Sequence, residues 1–308
     1  DPPLLKTWTN TVLGETWEEE TGAKMGAEGL RDRAEFYPAD QVPAKASIVT
    51  CGVDVQDNRV AVGLYAWGEG EECWLLNHFE IFGDPAGKKL WDQVDDVIFR
   101  TYKKEDGTEL KVSATGIDSG GHFTSEVYAY CRERAKRGVF ALKGQSQRNK
   151  PPIGKPSKVD INYRGQVLKN SAQVFPAGVD TIKSTLFARL KTNEEGAGYI
   201  HFHAAASPEY FKQLTSERQV VRYVKGFAIR EWKKKPGDRN EALDCFCYSY
   251  CALNYLYMRF NRSTIFEQFA KAQEPKSEPQ EQKRVESPYQ PTRRRMSRRP
   301  SSSFVTNW

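Results

Sequence analysis

The sequence predicts a mixed α/β domain in which an antiparallel meander leads into alternating helices and parallel strands. Three observations carry this. From Ser47 to Trp67 the chain reads as two β-branched apolar runs around the polar turn Gln56–Asp57–Asn58. From Lys88 to Leu142, helical and strand periods alternate. From Ala242 to Met258 the chain is apolar on nearly every face, as a buried helix must be.

Asp1 to Ala46 mixes aromatics, Gly and charges around a short helical pattern at Ala27–Glu35, and reads as a lead-in or linker. Ile48, Val49, Val53 and Val55 then form the first strand, and Val60, Val62, Leu64 and Tyr65 the second. Asp57 and Asn58 suit the turn because short polar side chains bond nearby backbone and tolerate left-handed dihedrals. Glu72–Phe82 follows as a third strand, stopped by Gly83–Asp84–Pro85. Leu90, Trp91, Val94, Val97, Ile98 and Tyr102 recur at a helical period. Leu110–Ile117 is strand, Phe123–Arg134 helix, and Val139–Leu142 a further strand. Three meandering strands followed by helix, strand, helix, strand is the order of the ribonuclease H-like fold.

Lys143–Lys169 breaks the rhythm, with Pro, Gly and seven Lys/Arg against one Asp. It reads as a long basic loop, suited to a phosphate backbone or simply solvated. Val179–Leu190 and Pro208–Glu217 are helical and Gly198–Phe202 is strand, while Val220–Tyr223 and Phe227–Trp232 make a hairpin across Lys225–Gly226. The last long helix runs from about Asn240 to Met258, with Asn240 or Asp238 as its cap and Glu241 in its first turn. Beyond Ile265–Ala270 the chain turns to Gln, Glu, Pro and Ser and then to TRRRMSRRPSSS, a composition that cannot fold alone. The expected organisation is a lead-in at 1–46, an α/β domain at 47–262, and a disordered basic tail at 263–308.

Hydrophobic residues make up 39% of the chain, enough for a substantial core. No run approaches the roughly eighteen apolar residues of a membrane span, and no signal peptide opens the chain. The six cysteines lack zinc-type paired spacing and read as reduced packing thiols of a cytoplasmic protein. Of the net charge of +6, Lys271–Trp308 holds +5, with nine Lys/Arg against four Glu. The preceding residues are nearly neutral, so any polyanion surface on them must come from local clustering.

Three solitary carboxylates carry the chemistry. Asp54 is the only charge between Ile48 and Gln56, Asp118 the only one from Val112 to Ser125, and Asp244 the only one from Ala242 to Met258. A lone buried carboxylate costs several kcal/mol unless a cation compensates it. Brought together, the three describe an oxygen-rich site for hard divalent cations, Mg²⁺ or Mn²⁺. Two such ions would clamp the attacking and leaving oxygens of a phosphodiester and activate a water. Glu241, one turn before Asp244, is either a fourth ligand or a first-turn helix residue. His122 is either a proton-transfer or phosphate-contacting group or a loop histidine with no role. Lys143, Arg148, Lys150, Lys155, Lys158 and Arg164 are candidate DNA contacts. His201 and His203 share one side of a strand, either as a metal pair or as an exposed or hydrogen-bonded pair. There is no GxxxxGK[ST] loop, and Gly116–Ile117–Asp118–Ser119–Gly120 has Asp where a nucleophile elbow needs Ser.

GVDVQDNRV at 52–60, GIDSGG at 116–121 and RNEALDC at 239–245 resemble the nuclease half of the large terminase subunit of tailed bacteriophages, the lambda-type GpA family. The similarity runs from about Ser47 to Leu256, and GETW at 14–17 resembles the junction after that family's ATPase half. The resemblance implies a ribonuclease H/RuvC-like endonuclease that cuts double-stranded viral DNA at packaging, with Asp54, Asp118 and Asp244 as metal-binding carboxylates. It implies a terminase small subunit and a portal or procapsid as partners, the latter through the tail, in the cytoplasm of an infected or lysogenic host. The ATPase half is missing from this chain, which leaves it no motor. Another nuclease of the same fold, such as a resolvase, and a non-catalytic DNA-binding or portal-docking module are the alternative readings.

Overall fold

The computed structural model describes residues 26–145, 147–163, 166–224 and 227–273, together with Trp8, Val12 and Glu19–Glu20. Strand β1 (Ala46–Val55) pairs antiparallel with β2 (Arg59–Gly68), and β2 antiparallel with β3 (Cys73–Phe82). Helix α1 (Lys88–Ile98) and the short β4 (Thr101–Lys104) lead to β5 (Glu109–Asp118), which lies parallel to β1. After α2 (Thr124–Arg134), β6 (Val139–Gln145) runs parallel to β5. Strands β7 (Ser157–Tyr163) and β8 (Gln166–Gly178) are antiparallel to each other, and β8 is parallel to β6. Then come α3 (Val179–Leu190), β9 (Ile200–His201), α4 (Pro208–Leu214), the hairpin β10 (Glu217–Val224) and β11 (Phe227–Lys234), α5 (Glu241–Tyr257) and α6 (Ile265–Gln273). The main sheet runs β9-β3-β2-β1-β5-β6-β8-β7. Its heart, a 3-2-1 meander joined to parallel β5 and β6, is the ribonuclease H-like arrangement.

Strand alternation divides the core between the two faces of the sheet. Val49, Cys51 and Val53 join Leu90, Trp91 and Val94 of α1 and Val127 of α2 in one cluster. Ile48, Tyr65, Trp67 and Leu142 join Ile182 and Leu186 of α3 and most of α5 in the other. At roughly 25 cal/mol per Å² of apolar surface removed from water, these two faces are the main source of stability.

Helix α5 lies directly on strand backbone. Gly52 on β1 is the cross-strand neighbour of Gly63 on β2 and of Gly116 on β5. A Cβ at Gly52 would lie 1.9 Å from the Cys245 carbonyl oxygen, and one at Gly116 2.9 Å from that of Tyr248. Only glycine admits so close an approach. One step back along β1, the Thr50 hydroxyl lies 2.7 Å from that of Ser249.

Four expectations need correction. Lys143–Lys169 is not one loop: its middle is β7, and β8 begins within it. Val159 and Ile161 alternate with exposed Lys158 and Asp160, a strand period that the Pro, Gly and charge content of the segment had masked. The lead-in is not detached from residue 26 onward. The helix Ala27–Asp32 buries Leu30 in the core, and Gln41–Val42 pairs with β4. The boundary at 262/263 falls inside a compact unit, Asp1–Glu274, because Ile265 is fully buried and Gln273 Nε2 donates to the Ser47 carbonyl at 2.6 Å. Finally, the strand expected at Gly198–Phe202 shrinks to the two residues of β9. The remainder of the tail, residues 274–308, lies outside the described residues.

Candidate active site

The two-residue period of β1 fixes where Asp54 points. Thr50 and Gly52 meet α5, so Asp54, two residues further on, faces the same helix. Parallel pairing puts Val53 beside Ile117, which sets Asp54 and Asp118 at the carboxyl ends of adjacent strands, about 4.8 Å apart as strands are. Asp244 enters from the first turn of α5, next to the Cys245 that seats on Gly52. Ligand sites of open α/β sheets characteristically lie at these strand ends.

Asp54 is buried, and Gln56 Nε2 donates to its Oδ2 at 2.6 Å. Burial, then the charges of Asp244 and Asp118, push its pKa well above the usual carboxylate value. Burial also raises Asp118, tempered by backbone N–H groups of Gly120 and Ser119 and by the Tyr248 hydroxyl. Asp244 is pushed up to about 6 by burial, against the pull of Lys183 and with the push of Glu217 and Asp118. Its Oδ2 accepts from Asn240 Nδ2 at 2.7 Å, and its Oδ1 lies 3.4 Å from Lys183 Nζ. The charges of Asp244 and Asp118 thus work against ionisation of the buried Asp54, and that of Asp118 against ionisation of the half-buried Asp244.

The other expected residues divide clearly. Glu241 is paired with Arg59 (2.7 Å) and with Arg239; burial works against its charge, but the two arginines hold its pKa below the ordinary value. Those arginines occupy it, so it is not a free carboxylate waiting for a metal. His122 Nδ1 lies 2.8 Å from Asp57 Oδ1, both exposed on the turns flanking Asp54 and Asp118. Lys143 is exposed on β6, one residue beyond Leu142, the cross-strand partner of Asp118. Arg148, Lys155 and Lys158 are exposed and Lys150 is half-buried, while Arg164 lies outside the described residues. His201 is held between Glu35 (2.7 Å) and Glu72 (3.0 Å) and stacks on Trp74, so both its nitrogens are taken. His203 is buried and edge-on to Tyr37, with neither ring nitrogen hydrogen-bonded, but the nitrogens of His201 are already taken by Glu35 and Glu72 and so are not free to share a metal with it.

Several residues at the site escaped the sequence reading. Lys183 of α3 bonds Glu217 at 2.6 Å besides approaching Asp244. Asn240, expected as a helix cap, makes no side-chain cap bond and instead links Glu217 and Asp244. Tyr248, four residues after Asp244, faces all three aspartates, and burial followed by their charges drives its hydroxyl pKa far up.

Among the described residues, no three His, Cys, Asp or Glu side chains are gathered into a ready-made metal cage. The donor set nonetheless fits a hard divalent cation. It is all carboxylate, partly desolvated, and carries mutual repulsion that one lysine offsets at one member. The six cysteines are free and buried, and offer no competing soft site.

A family model described as terminase large subunit gpA, endonuclease domain, matches residues 1–264. The chain is 34% identical over 269 residues to the terminase large subunit of Escherichia phage lambda, covering 84% of this chain and 40% of that protein. It is 36% identical over 270 residues to the terminase large subunit of Enterobacteria phage P21, with the same coverage. It thus spans about 40% of the length of these curated relatives. The g2p large terminase nuclease domain of bacteriophage SPP1, solved with bound Mn, is similar at a TM-score of 0.35 and 9% identity, over 71% of this chain and 96% of that one. The HK97 bacteriophage large terminase gives a TM-score of 0.36 and 11% identity, over 82% of this chain and 48% of that one.

Proposed function

The chain belongs to the family of terminase large subunit gpA endonuclease domains, and on that footing we propose that it is a divalent-metal-dependent endonuclease cutting double-stranded viral DNA during genome packaging. What supports this reading is that Asp54 and Asp118 end the adjacent strands β1 and β5, that Asp244 lies in the first turn of the helix seated on β1, and that the charges of Asp244 and Asp118 both act on Asp54. These residues would hold Mg²⁺ or Mn²⁺, which when bound would supply Lewis acidity and activate a water for phosphodiester hydrolysis. The chain's own part is orientation and water exclusion. Gln56 fixes one oxygen of Asp54, Tyr248 and the Gly120 N–H fix Asp118, and Asn240 with Lys183 fixes Asp244.

Lys143, Arg148, Lys155 and Lys158 extend exposed positive charge away from the same end of the sheet, which suits contact with the phosphate backbone. Such contacts position DNA without reading its sequence, so cleavage by this chain alone is expected to be weak and unselective. Site choice then falls to a terminase small subunit, translocation to an ATPase half, and docking on a portal or procapsid to the basic tail, all in the host cytoplasm.

Plasmid nicking tests the proposal. Wild-type protein should nick supercoiled DNA with Mn²⁺ or Mg²⁺ and not in EDTA, and Asp54→Ala and Asp244→Asn should each lose at least about 100-fold. Equal nicking by all three proteins, or none under either metal, would overturn it in favour of a binding and docking module.

A further inference from the structure

The polar cluster beneath Asp244 has more members than a metal site needs. Lys183, buried on α3, lies 2.6 Å from Glu217 Oε1 on β10 and 3.4 Å from Asp244 Oδ1 on α5. Asn240 Nδ2 donates to the same Glu217 oxygen at 2.9 Å and to Asp244 Oδ2 at 2.7 Å, while its Oδ1 accepts from Lys234 Nζ at 3.0 Å. Glu217 and Lys234 are cross-strand partners at the root of the β10–β11 hairpin. Three separate elements therefore converge on one aspartate, and the only buried cation among them is aimed at it.

We propose that Lys183 is a positioning residue for Asp244 and the site's built-in counter-cation, held in place by Glu217. The inference rests on the endonuclease reading above and adds to it the residues that set metal affinity. An ammonium beside Asp244 does two things. It holds the carboxylate in one orientation without metal, so that the domain tolerates its cluster of like charges. It also opposes the arrival of a divalent cation, so affinity at the site is lower than three carboxylates alone would give. Glu217 acts with the opposite sign on the metal, because its own negative charge, held against Lys183, offsets that of the ammonium.

Manganese titration of the full 308-residue chain, by calorimetry or by loss of the free Mn²⁺ paramagnetic resonance signal, separates these effects. Lys183→Met should bind Mn²⁺ about tenfold more tightly, the scale of one charge removed at a few ångströms. It should nonetheless nick DNA at least about tenfold more slowly, since Asp244 then keeps only the Asn240 contact and its Oδ1 is no longer held. Glu217→Gln should weaken Mn²⁺ binding several-fold. The double variant replaces the ion pair with a neutral pair, the change such buried sites tolerate best. It should return Mn²⁺ affinity to within about threefold of wild type without restoring cleavage. Lys183→Arg, which keeps the charge, should keep wild-type affinity and recover part of the rate. A merely structural pair would lower the metal-free melting temperature and leave Mn²⁺ affinity unmoved or shifted in one direction for both single variants; either outcome overturns the proposal. If wild-type protein binds no Mn²⁺, the endonuclease reading itself falls, and this inference with it.

Discussion

Asp54 is the most constrained of the three aspartates, buried at the end of a central strand and facing two like charges. Its folded-state pKa lies above the unfolded value, so the folded protein binds a proton more tightly than the unfolded chain. Stability of the metal-free protein therefore falls as pH rises through that interval. For Asp244 the interval runs from about 4, the unfolded value, to about 6. Glu241 has the opposite sign and loses its contribution only as pH falls through its lowered value. Asp54→Asn keeps one oxygen for Gln56 and removes the charge. Without metal it should raise stability by on the order of 1 kcal/mol at pH 8, with the gain vanishing near pH 4. Urea denaturation at the two pH values checks this, and a loss at pH 8 would contradict it. These carboxylates were legible because a single charge in an apolar run has no ordinary surface explanation. Lys183 carries the same mark, the sole charge between Asp180 and Arg189, yet a lysine's long stem lets it reach solvent from such a position, so the mark says less. Glu217 and Tyr248 carry no mark. A Glu that the sequence reads as the last residue of a helix, and that in fact starts β10, and a Tyr among other tyrosines become site residues only when α5 crosses the sheet.

That crossing depends on the contact between α5 and the glycines beneath it. Gly52→Ala would drive a methyl group into the Cys245 carbonyl, which cannot move without lifting the helix. A loss of at least about 3 kcal/mol is expected, the upper range for overpacking. Gly120→Ala, whose Cβ would meet nothing nearer than 3.4 Å, should stay within about 0.5 kcal/mol of wild type. Chemical denaturation of the two variants compares them, and equal stability would contradict the account of how Asp244 is delivered. The elements themselves were largely legible, since β2 and α1 have clean periods, β1 is a β-branched apolar run, and α5 is a long stretch apolar on nearly every face. β7 and β8 were not, because β8 is stabilised by β6, a partner distant in sequence, while its own flanks are rich in Gly and Lys. Pairing overrides local composition there.

At the scale of the whole molecule, the described residues 26–46 and 263–273 pack with the α/β core rather than apart from it. Residues 26–46 are polar between their few anchors, and what ties them down is specific. Leu30 is buried, and Arg33 donates to the carbonyls of Leu190, Thr192 and Ile200. At the other end Arg262 joins Arg189, Tyr250 and Tyr257 around the buried carboxylate of Glu71, and α6 then packs back towards β1. Each anchor is a long-range contact that a sequence window cannot contain. The central claim of the proposed function is that this scaffolding presents Asp54, Asp118 and Asp244 to one volume. It is tested most directly by anomalous diffraction at the manganese edge from crystals soaked in Mn²⁺. The account predicts anomalous peaks within about 2.0–2.3 Å of carboxylate oxygens of Asp54, Asp118 and Asp244, the range for a hard divalent ion on oxygen. Peaks confined to surface carboxylates, with Asp54 and Asp118 bare and Asp244 still on Lys183, would contradict it.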